Sequence, residues 1–126
     1  MPPPLVQGRI VYGKILDPQG RNAKENRPLI VISKNPIDST KPVWVDGVTS
    51  ELTASPPDHY VAIPWGRDSP TKLSLESAAL CTWVATVNIA DVQVSSRWVP
   101  PRRMVPIIER LTELFNQGLI PFDPNL

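Results

Sequence analysis

The stretch Arg27-Pro28-Leu29-Ile30-Val31-Ile32-Ser33 is the clearest strand signal in this chain of 126 residues. It is an apolar, β-branched run that a proline opens and a small polar residue closes. Apolar residues stand at odd and even positions alike, so we expect both faces to be covered, as inside a barrel or sandwich. Pro28 has no N–H and is expected at the first residue of the strand. Arg27 then lies at the rim, where it either forms an ordinary salt bridge or points into a site.

Length and composition predict a single domain, residues 1–126, with enough chain to bury a core. The formal net charge is +1, so bulk charge favours neither nucleic acid nor a membrane as partner. Residues 1–34 carry six basic side chains against two acidic ones. This local excess fits either a polyanionic partner or plain solvated surface.

The single cysteine, Cys81, lies in an apolar run and is expected to be a small buried hydrophobe. One cysteine excludes an internal disulfide and offers no zinc site. The N-terminus does not resemble a signal peptide, and no stretch approaches the roughly 20 apolar residues of a membrane helix. These features predict a reduced, cytoplasmic protein without membrane contact.

The 16 prolines are scattered between short β-type runs, which favours an all-β region with many loops. Residues 1–7 are expected to be a loose lead-in, 17–20 a turn and 21–26 a polar surface loop. Gly47 is a candidate β-bulge or a point of close approach, and residues 75–80 also fit a helical turn. Strands are predicted at residues 8–16, 28–33, 43–50, 59–63, 71–75 and 79–87.

The character of the chain changes at residues 101–117. Apolar residues recur there at 104, 107/108, 111 and 114/115, which is helical spacing, and Gly118 follows at the C′ position. The predicted fold class is therefore mainly β with a C-terminal α-helix, in which five or six strands form a small, strongly bent sheet or barrel.

Motifs of several enzyme classes are missing from the sequence, among them a P-loop, GxGxxG, HExxH and GxSxG. What remains is a set of polar residues at predicted strand ends. Each also has an ordinary structural role, as a rim salt bridge, as turn chemistry or as a satisfied, partly buried histidine. The set consists of Arg21, Lys24, Arg27, Thr49, Ser50 and His59.

The order of these features along the chain is more specific than any one of them. Gly8-Arg9-Ile10-Val11-Tyr12 opens a strand, Asp17-Pro18 makes a turn, Arg27-Pro28 opens an apolar strand, and Val48-Thr49-Ser50 closes the next. This order resembles the MazF/PemK family of toxin endoribonucleases. The resemblance implies an SH3-like small barrel of five to seven strands that forms a homodimer. It also implies metal-independent cleavage of single-stranded RNA without a cofactor, by attack of the substrate's 2′-OH to leave a cyclic phosphate, and an antitoxin protein as inhibitor.

Carried onto this chain, the resemblance makes Arg27 the catalytic arginine and Thr49 the catalytic threonine. A guanidinium binds non-bridging phosphate oxygens bidentately, and a threonine hydroxyl can donate to the same group. His59 is a candidate general base if it faces the same rim. Arg21, Lys24 and Ser50 are expected to bind RNA.

Two departures from the family pattern favour an alternative. Arg9 stands where the family commonly has an aspartate, and residues 21–26 replace a Ser-Glu-Gln-Gly-like run. The alternative is an SH3-like barrel without catalysis that serves as a protein-binding or dimerisation module. Its binding patch would use exposed tryptophans, for which the candidates are Trp44, Trp65, Trp83 and Trp98.

Overall fold

The computed structural model describes residues 3–126, apart from the side chain of Lys24; Met1 and Pro2 of the predicted lead-in lie outside the described residues. Within this range, six antiparallel strands form one sheet in the order β4-β5-β3-β2-β1-β6, and one α-helix follows them. The mainly-β class with a C-terminal helix is confirmed. The elements are β1 (Arg9–Leu16), β2 (Ala23–Val31), β3 (Val43–Thr49), β4 (Tyr60–Ala62), β5 (Ala78–Val87), β6 (Gln93–Trp98) and α1 (Pro101–Asn116).

Strand β2 is covered on both faces, as its sequence predicts. Leu29 and Val31 belong to one buried cluster, while Ile30 and Ile32 belong to another, and all four are fully buried. Alternate residues of a strand point to opposite faces, so an uninterrupted apolar run supplies both clusters at once. The bent sheet thereby encloses one core and presents the other to the helix.

Helix α1 covers the second of these clusters with Met104, Ile107, Leu111 and Leu114. These are the positions that helical spacing predicts. The helix ends where Gly118 adopts a left-handed φ of +74°, a conformation that glycine adopts without strain. Across residues 3–126, no helix has both the length and the apolar character needed to cross a membrane.

Two predictions about the start of β2 are wrong. The strand begins at Ala23, within the predicted loop 21–26. The polar start of β2 pairs through its backbone with the end of β1, so that the two strands form a long hairpin. Pro28 therefore lies inside the strand, opposite Tyr12 of β1. Its missing N–H is tolerated because pairing with β3 begins only at Leu29, so no ladder bond is lost on that side.

Two further strand predictions need correction. Residues 71–75 form no strand, since Lys72 has a φ of +57° and the buried Thr71 hydroxyl donates to the Pro64 carbonyl at 2.7 Å. His59 ends a short 3-10 turn, Pro57–His59, and β4 begins one residue later. Pro56 and Pro57, which precede His59, have no N–H to donate and therefore favour a turn over strand pairing.

Strand β6 is absent from the sequence-based prediction. It pairs with β1, with Val94 opposite Val11 and Trp98 opposite Arg9. Its side chains are mostly exposed or half-buried, so the alternation that marks a strand is weak. Of the candidate tryptophans, Trp65 and Trp98 are exposed, whereas Trp44 is half-buried and Trp83 is buried.

Candidate functional site

The register of β2 against β3 brings Arg27 and Thr49 to the same place. Leu29 pairs with Gly47, and the pairing runs in steps of one residue from there. Arg27 lies two residues before Leu29, and Thr49 lies two residues after Gly47, so this register extended by two positions sets them opposite each other. Facing residues of an antiparallel pair share one face of the sheet. The two residues that the sequence singles out thus meet at one rim.

Arg27, Thr49 and Ser50 line two adjoining pockets, here called the rim pockets. The smaller, of about 80 Å³, is completed by Pro18, Glu51 and Trp83. The larger, of about 240 Å³, is completed by Pro28, Val48, Leu73, Ser74, Leu75 and Ser77. The rim is therefore concave on both sides of the Arg27–Thr49 pair, and three of its lining residues are serines.

The Thr49 hydroxyl has a defined orientation. Its oxygen accepts a hydrogen bond from the backbone N–H of Glu51 at 3.0 Å. A hydroxyl that accepts in this way keeps its own O–H to donate elsewhere. Thr49 is half-buried, so this donor is accessible from the rim.

The Arg27 side chain is exposed, and within residues 3–126 it has no ion pair or side-chain hydrogen bond. Arg27 thus forms no ordinary rim salt bridge with the described residues. A guanidinium with no partner among the described residues, on the same rim as a hydroxyl, has the chemistry to bind an anion with at least two oxygens.

Glu51 is a member of this site that the sequence analysis missed. Its backbone is held at both ends, because its N–H donates to Thr49 and its carbonyl accepts from the Tyr60 hydroxyl at 3.0 Å. Glu51 is one of the residues that line the smaller rim pocket together with Arg27. The signal available in the sequence was an acidic residue directly after Thr49-Ser50.

Trp83 forms a wall of the smaller rim pocket. Its ring packs against Gly47, where any added Cβ would overlap the ring atoms. Its indole Nε1 donates to the carbonyl of Leu16 at 2.6 Å, which ties β5 to the end of β1. The register of β3 against β5 shifts between Asp46 and Val48, but the extra residues there belong to β5. Gly47 is therefore not a bulge on β3; it is the point of close approach that the sequence also predicts.

The turn after β1 is organised by Asp17. Its Oδ1 accepts from the backbone N–H of Arg21 at 2.9 Å and of Gln19 at 3.1 Å. The hydrogen bond from Arg21, aided by those from Asn22 and Gln19, lowers the pKa of Asp17 against an opposing effect of burial. The Arg21 side chain is exposed on this turn and does not line the rim pockets, and only the backbone of Lys24 is described, paired with Ile15.

His59 is not brought to this rim. It lines a separate pocket of about 300 Å³ that faces helix α1, with Arg110 and Glu113 among the other lining residues. His59 would be a candidate general base only if it faced the same rim as Arg27, and this arrangement does not meet that condition.

A buried carboxyl lies three residues before Thr49 on β3. Asp46 has no exposed surface, and within residues 3–126 neither of its side-chain oxygens has a hydrogen-bond partner. Burial raises the pKa of Asp46 well above its ordinary value, and the nearby Cys81 thiol opposes this only in part. Cys81 is fully buried, as predicted, and burial also raises the pKa of its thiol, with the charge of Asp46 adding to the effect.

Solved structures share this fold. A mycobacterial endoribonuclease in complex with its cognate antitoxin is 18% identical, with a TM-score of 0.62 over 89% of this chain and 95% of that chain. The Mycobacterium tuberculosis toxin MazF-mt6 is 17% identical, with a TM-score of 0.59 over 86% and 97%. A MazE-MazF structure from Deinococcus radiodurans is 16% identical, with a TM-score of 0.58 over 89% and 96%.

A family model gives the assignment that these distant structures alone do not. No curated protein sequence matches the chain. The model described as "PemK-like, MazF-like toxin of type II toxin-antitoxin system" matches residues 6–115. That range contains all six strands, both rim residues and most of the helix. The chain belongs to the PemK-like, MazF-like toxin family of type II toxin–antitoxin systems.

Proposed function

We propose that this protein is a sequence-selective endoribonuclease toxin that cleaves single-stranded RNA, with the reaction centred on Arg27 and Thr49. The observation that carries the proposal is that Arg27 and Thr49 line the same two rim pockets, as the extended β2–β3 register leads one to expect, while the Arg27 guanidinium has no ion pair among the described residues. The family to which the chain belongs supports the same reaction class.

In the proposed reaction the 2′-OH of one nucleotide attacks the adjoining phosphorus. The bond from phosphorus to the 2′-oxygen forms, and the bond from phosphorus to the 5′-oxygen breaks. The products are a 2′,3′-cyclic phosphate and a 5′-hydroxyl. Negative charge grows on the non-bridging oxygens, where Arg27 supplies positive charge and Thr49 donates a hydrogen bond, so both stabilise the transition state. The proposed reaction requires no metal ion.

We assign the proton acceptor to Glu51. A general base must come within hydrogen-bond reach of the proton it removes. Glu51 is the carboxylate among the residues that line the rim pockets, and two backbone hydrogen bonds hold it there. It takes the 2′-OH proton, and the leaving 5′-oxygen takes up a proton from water. Arginine suits this step poorly because it stays protonated up to a pH of about 12.

We propose an antitoxin segment as the inhibitor of this site. The similar mycobacterial structure contains a cognate antitoxin, and the Deinococcus structure contains MazE. Here Leu75 is 61% exposed beside the larger rim pocket, and Leu16 is 53% exposed beside a neighbouring cavity of about 480 Å³. An antitoxin segment with apolar side chains and a carboxylate would cover both leucines and pair with Arg27. The working form is proposed to be a homodimer, which sedimentation of the purified chain would test.

The proposed function is tested by cleavage of a mixed-sequence, single-stranded RNA. We compare the native chain with Arg27→Ala and Thr49→Val, and with Arg102→Ala as a matched control on the exposed first turn of α1. Cleavage to cyclic-phosphate ends by the native chain and by the control, with loss in the two rim variants, supports the proposal. Equal cleavage by all four proteins, or by none, overturns it.

Expression in a bacterial host separates the toxin from a non-catalytic module. An active endoribonuclease toxin arrests growth, and the Arg27→Ala variant does not. A native chain that is folded and soluble but causes no arrest would favour the protein-binding or dimerisation module instead.

A further inference from the structure

A second polar pocket lies beside the rim pockets, and the proposed reaction does not use it. This β6 pocket has a volume of about 280 Å³ and is lined by Tyr12, Asn26, Gln93, Ser95 and Arg97. Each of the five side chains can form hydrogen bonds. Three of them come from β6, the strand that the sequence analysis did not predict.

The β6 pocket lies in one row with the larger rim pocket. Pro28, which lines the rim pocket, pairs with Tyr12, and Tyr12 pairs in turn with Gln93. Residues directly opposite each other share a face of the sheet, and neighbouring strands lie about 4.8 Å apart. The β6 pocket thus begins one strand away from the rim. Arg27 precedes Pro28 and points to the other face of β2, but both residues line the larger rim pocket. An RNA strand that contacts Arg27 and continues through this pocket past Pro28 would bring an adjoining nucleotide to the β6 pocket.

Arg97 supplies the charge of this pocket. Its Nη1 donates to the Tyr12 hydroxyl at 2.6 Å, and its guanidinium carbon lies 5.7 Å from the centre of the Tyr12 ring. These contacts hold the guanidinium in one orientation. Within residues 3–126 no carboxylate forms an ion pair with it, so its remaining N–H groups are available to a ligand.

Two side-chain amides complete the pocket. Asn26 has a φ of +52°, a left-handed conformation that asparagine tolerates better than most residues, and it lies where the β1–β2 register shifts. Within the described residues neither its amide nor that of Gln93 forms a side-chain hydrogen bond, and both are exposed. Each amide offers a donor and an acceptor, which is what a base edge requires and a bare phosphate does not.

We propose that the β6 pocket binds the base of a nucleotide adjoining the cleaved phosphate and thereby contributes to sequence preference. Single-stranded RNA is read in this way, by stacking on aromatic or guanidinium planes and by hydrogen bonds to base edges. Guanine fits best, because its O6 and N7 acceptors match the guanidinium of Arg97. This inference rests on the proposed function.

The test is cleavage of an RNA library with randomised positions, followed by sequencing of the cut ends. We compare the native chain with Arg97→Lys and with the double variant Asn26→Gly/Gln93→Ala. The double variant changes two exposed positions, and glycine accepts the positive φ, so its fold is retained even if Arg97→Lys loses stability. Arg102→Lys and Asn116→Ala are matched controls on exposed sites of α1.

The native chain and the controls are expected to prefer guanine at one position flanking the cut. Both β6-pocket variants should weaken that preference about tenfold, the order expected for one specific base contact. Their cleavage of RNA with a disfavoured base there should fall less than their cleavage of RNA with guanine there. An unchanged preference in both variants overturns the inference while the proposed function stands.

A native chain that cuts no RNA would overturn the proposed function but would still leave the pocket to be tested. In that case guanosine 5′-monophosphate is titrated into the labelled protein and followed by NMR. Shifts at Tyr12 and Gln93 that Arg97→Lys weakens support base binding, and no shift overturns it. Variants that lose affinity for an antitoxin peptide while keeping their base preference would also overturn it, in favour of a protein contact.

Discussion

The Thr49 hydroxyl oxygen lies 3.0 Å from the backbone nitrogen of Glu51 and accepts its hydrogen bond. This contact leaves the Thr49 O–H free to donate at the rim, where Thr49 lines both pockets with Arg27. The same contact fixes the backbone of Glu51, so one hydrogen bond positions two of the groups in the proposed reaction.

Replacing Thr49 by valine, which keeps the shape and removes the hydroxyl, should lower the single-turnover rate of RNA cleavage about 10²–10³-fold. Thr49→Ser retains the hydroxyl and should keep most of the rate. Thermal unfolding should differ little, because one exposed hydrogen bond contributes only about 1 kcal/mol. A valine variant with the native rate would remove Thr49 from the reaction.

The proton acceptor is tested with Glu51→Gln, which keeps size and hydrogen bonding but cannot take up the proton. The cleavage rate at neutral pH should fall about 10²-fold or more. His59→Gln is the informative comparison, since His59 lines a different pocket. Its rate should stay within about twofold of native. The opposite pattern, a slow His59 variant and a normal Glu51 variant, would return the role to the histidine.

The positions of Arg27 and Thr49 at two strand ends could be predicted from the sequence because the signals for them are local. The apolar segment after Arg27-Pro28 and the β-branched segment that ends at Thr49 can each be recognised from the residues of one strand. Antiparallel pairing of the two strands then brings Arg27 and Thr49 together. Strand β6 could not be recognised from its own residues. Its one ladder partner is β1, and its half-exposed side chains show little alternation. The positive φ of Asn26 lies at a shift in the β1–β2 register, and the backbone of Glu51 is held by hydrogen bonds to Thr49 and Tyr60; single-strand patterns encode neither.

Gly47 is predicted to be intolerant of a side chain. A Cβ there would overlap the Trp83 ring, so Gly47→Ala must move either the ring or β3. We expect the free energy of unfolding to fall by about 1–3 kcal/mol, the usual cost of overpacking. Because Thr49 follows two residues later, cleavage should fall as well. Adding Trp83→Phe, which shrinks the ring, should restore part of the stability measured by urea unfolding; no recovery would place the strain elsewhere.

Asp46 makes the stability of the fold depend on pH. Its pKa in the folded chain is raised above the unfolded value of about 3.9, because burial disfavours the charged form. The contribution of the neutral carboxyl to stability is therefore fully present below the unfolded-state pKa. It is lost as the pH rises through the folded-state pKa.

Asp46→Asn, which is neutral at every pH, should become more stable relative to the native chain as the pH rises. The difference in free energy of unfolding should grow by up to about 1.4 kcal/mol per pH unit between the two pKa values. Urea unfolding of both proteins at pH 4.5 and 7.5 measures this. The difference between the proteins isolates Asp46 from groups such as Asp17, whose lowered pKa acts in the opposite direction. A difference independent of pH would show that Asp46 keeps an ordinary pKa when folded.

Cys81 reports on the same part of the core. It is fully buried, and burial together with the nearby Asp46 raises the pKa of its thiol, so little reactive thiolate forms in the folded chain. A small thiol reagent should label the native protein at least about a hundredfold more slowly than the urea-unfolded protein, because labelling waits for opening of the core. Cys81→Ala removes the single thiol and gives the blank.

Asp46→Val, which replaces an unpaired carboxyl with an apolar side chain, should slow labelling further as it stabilises the core. Labelling of the native protein as fast as in urea would show that β5 opens freely around Cys81.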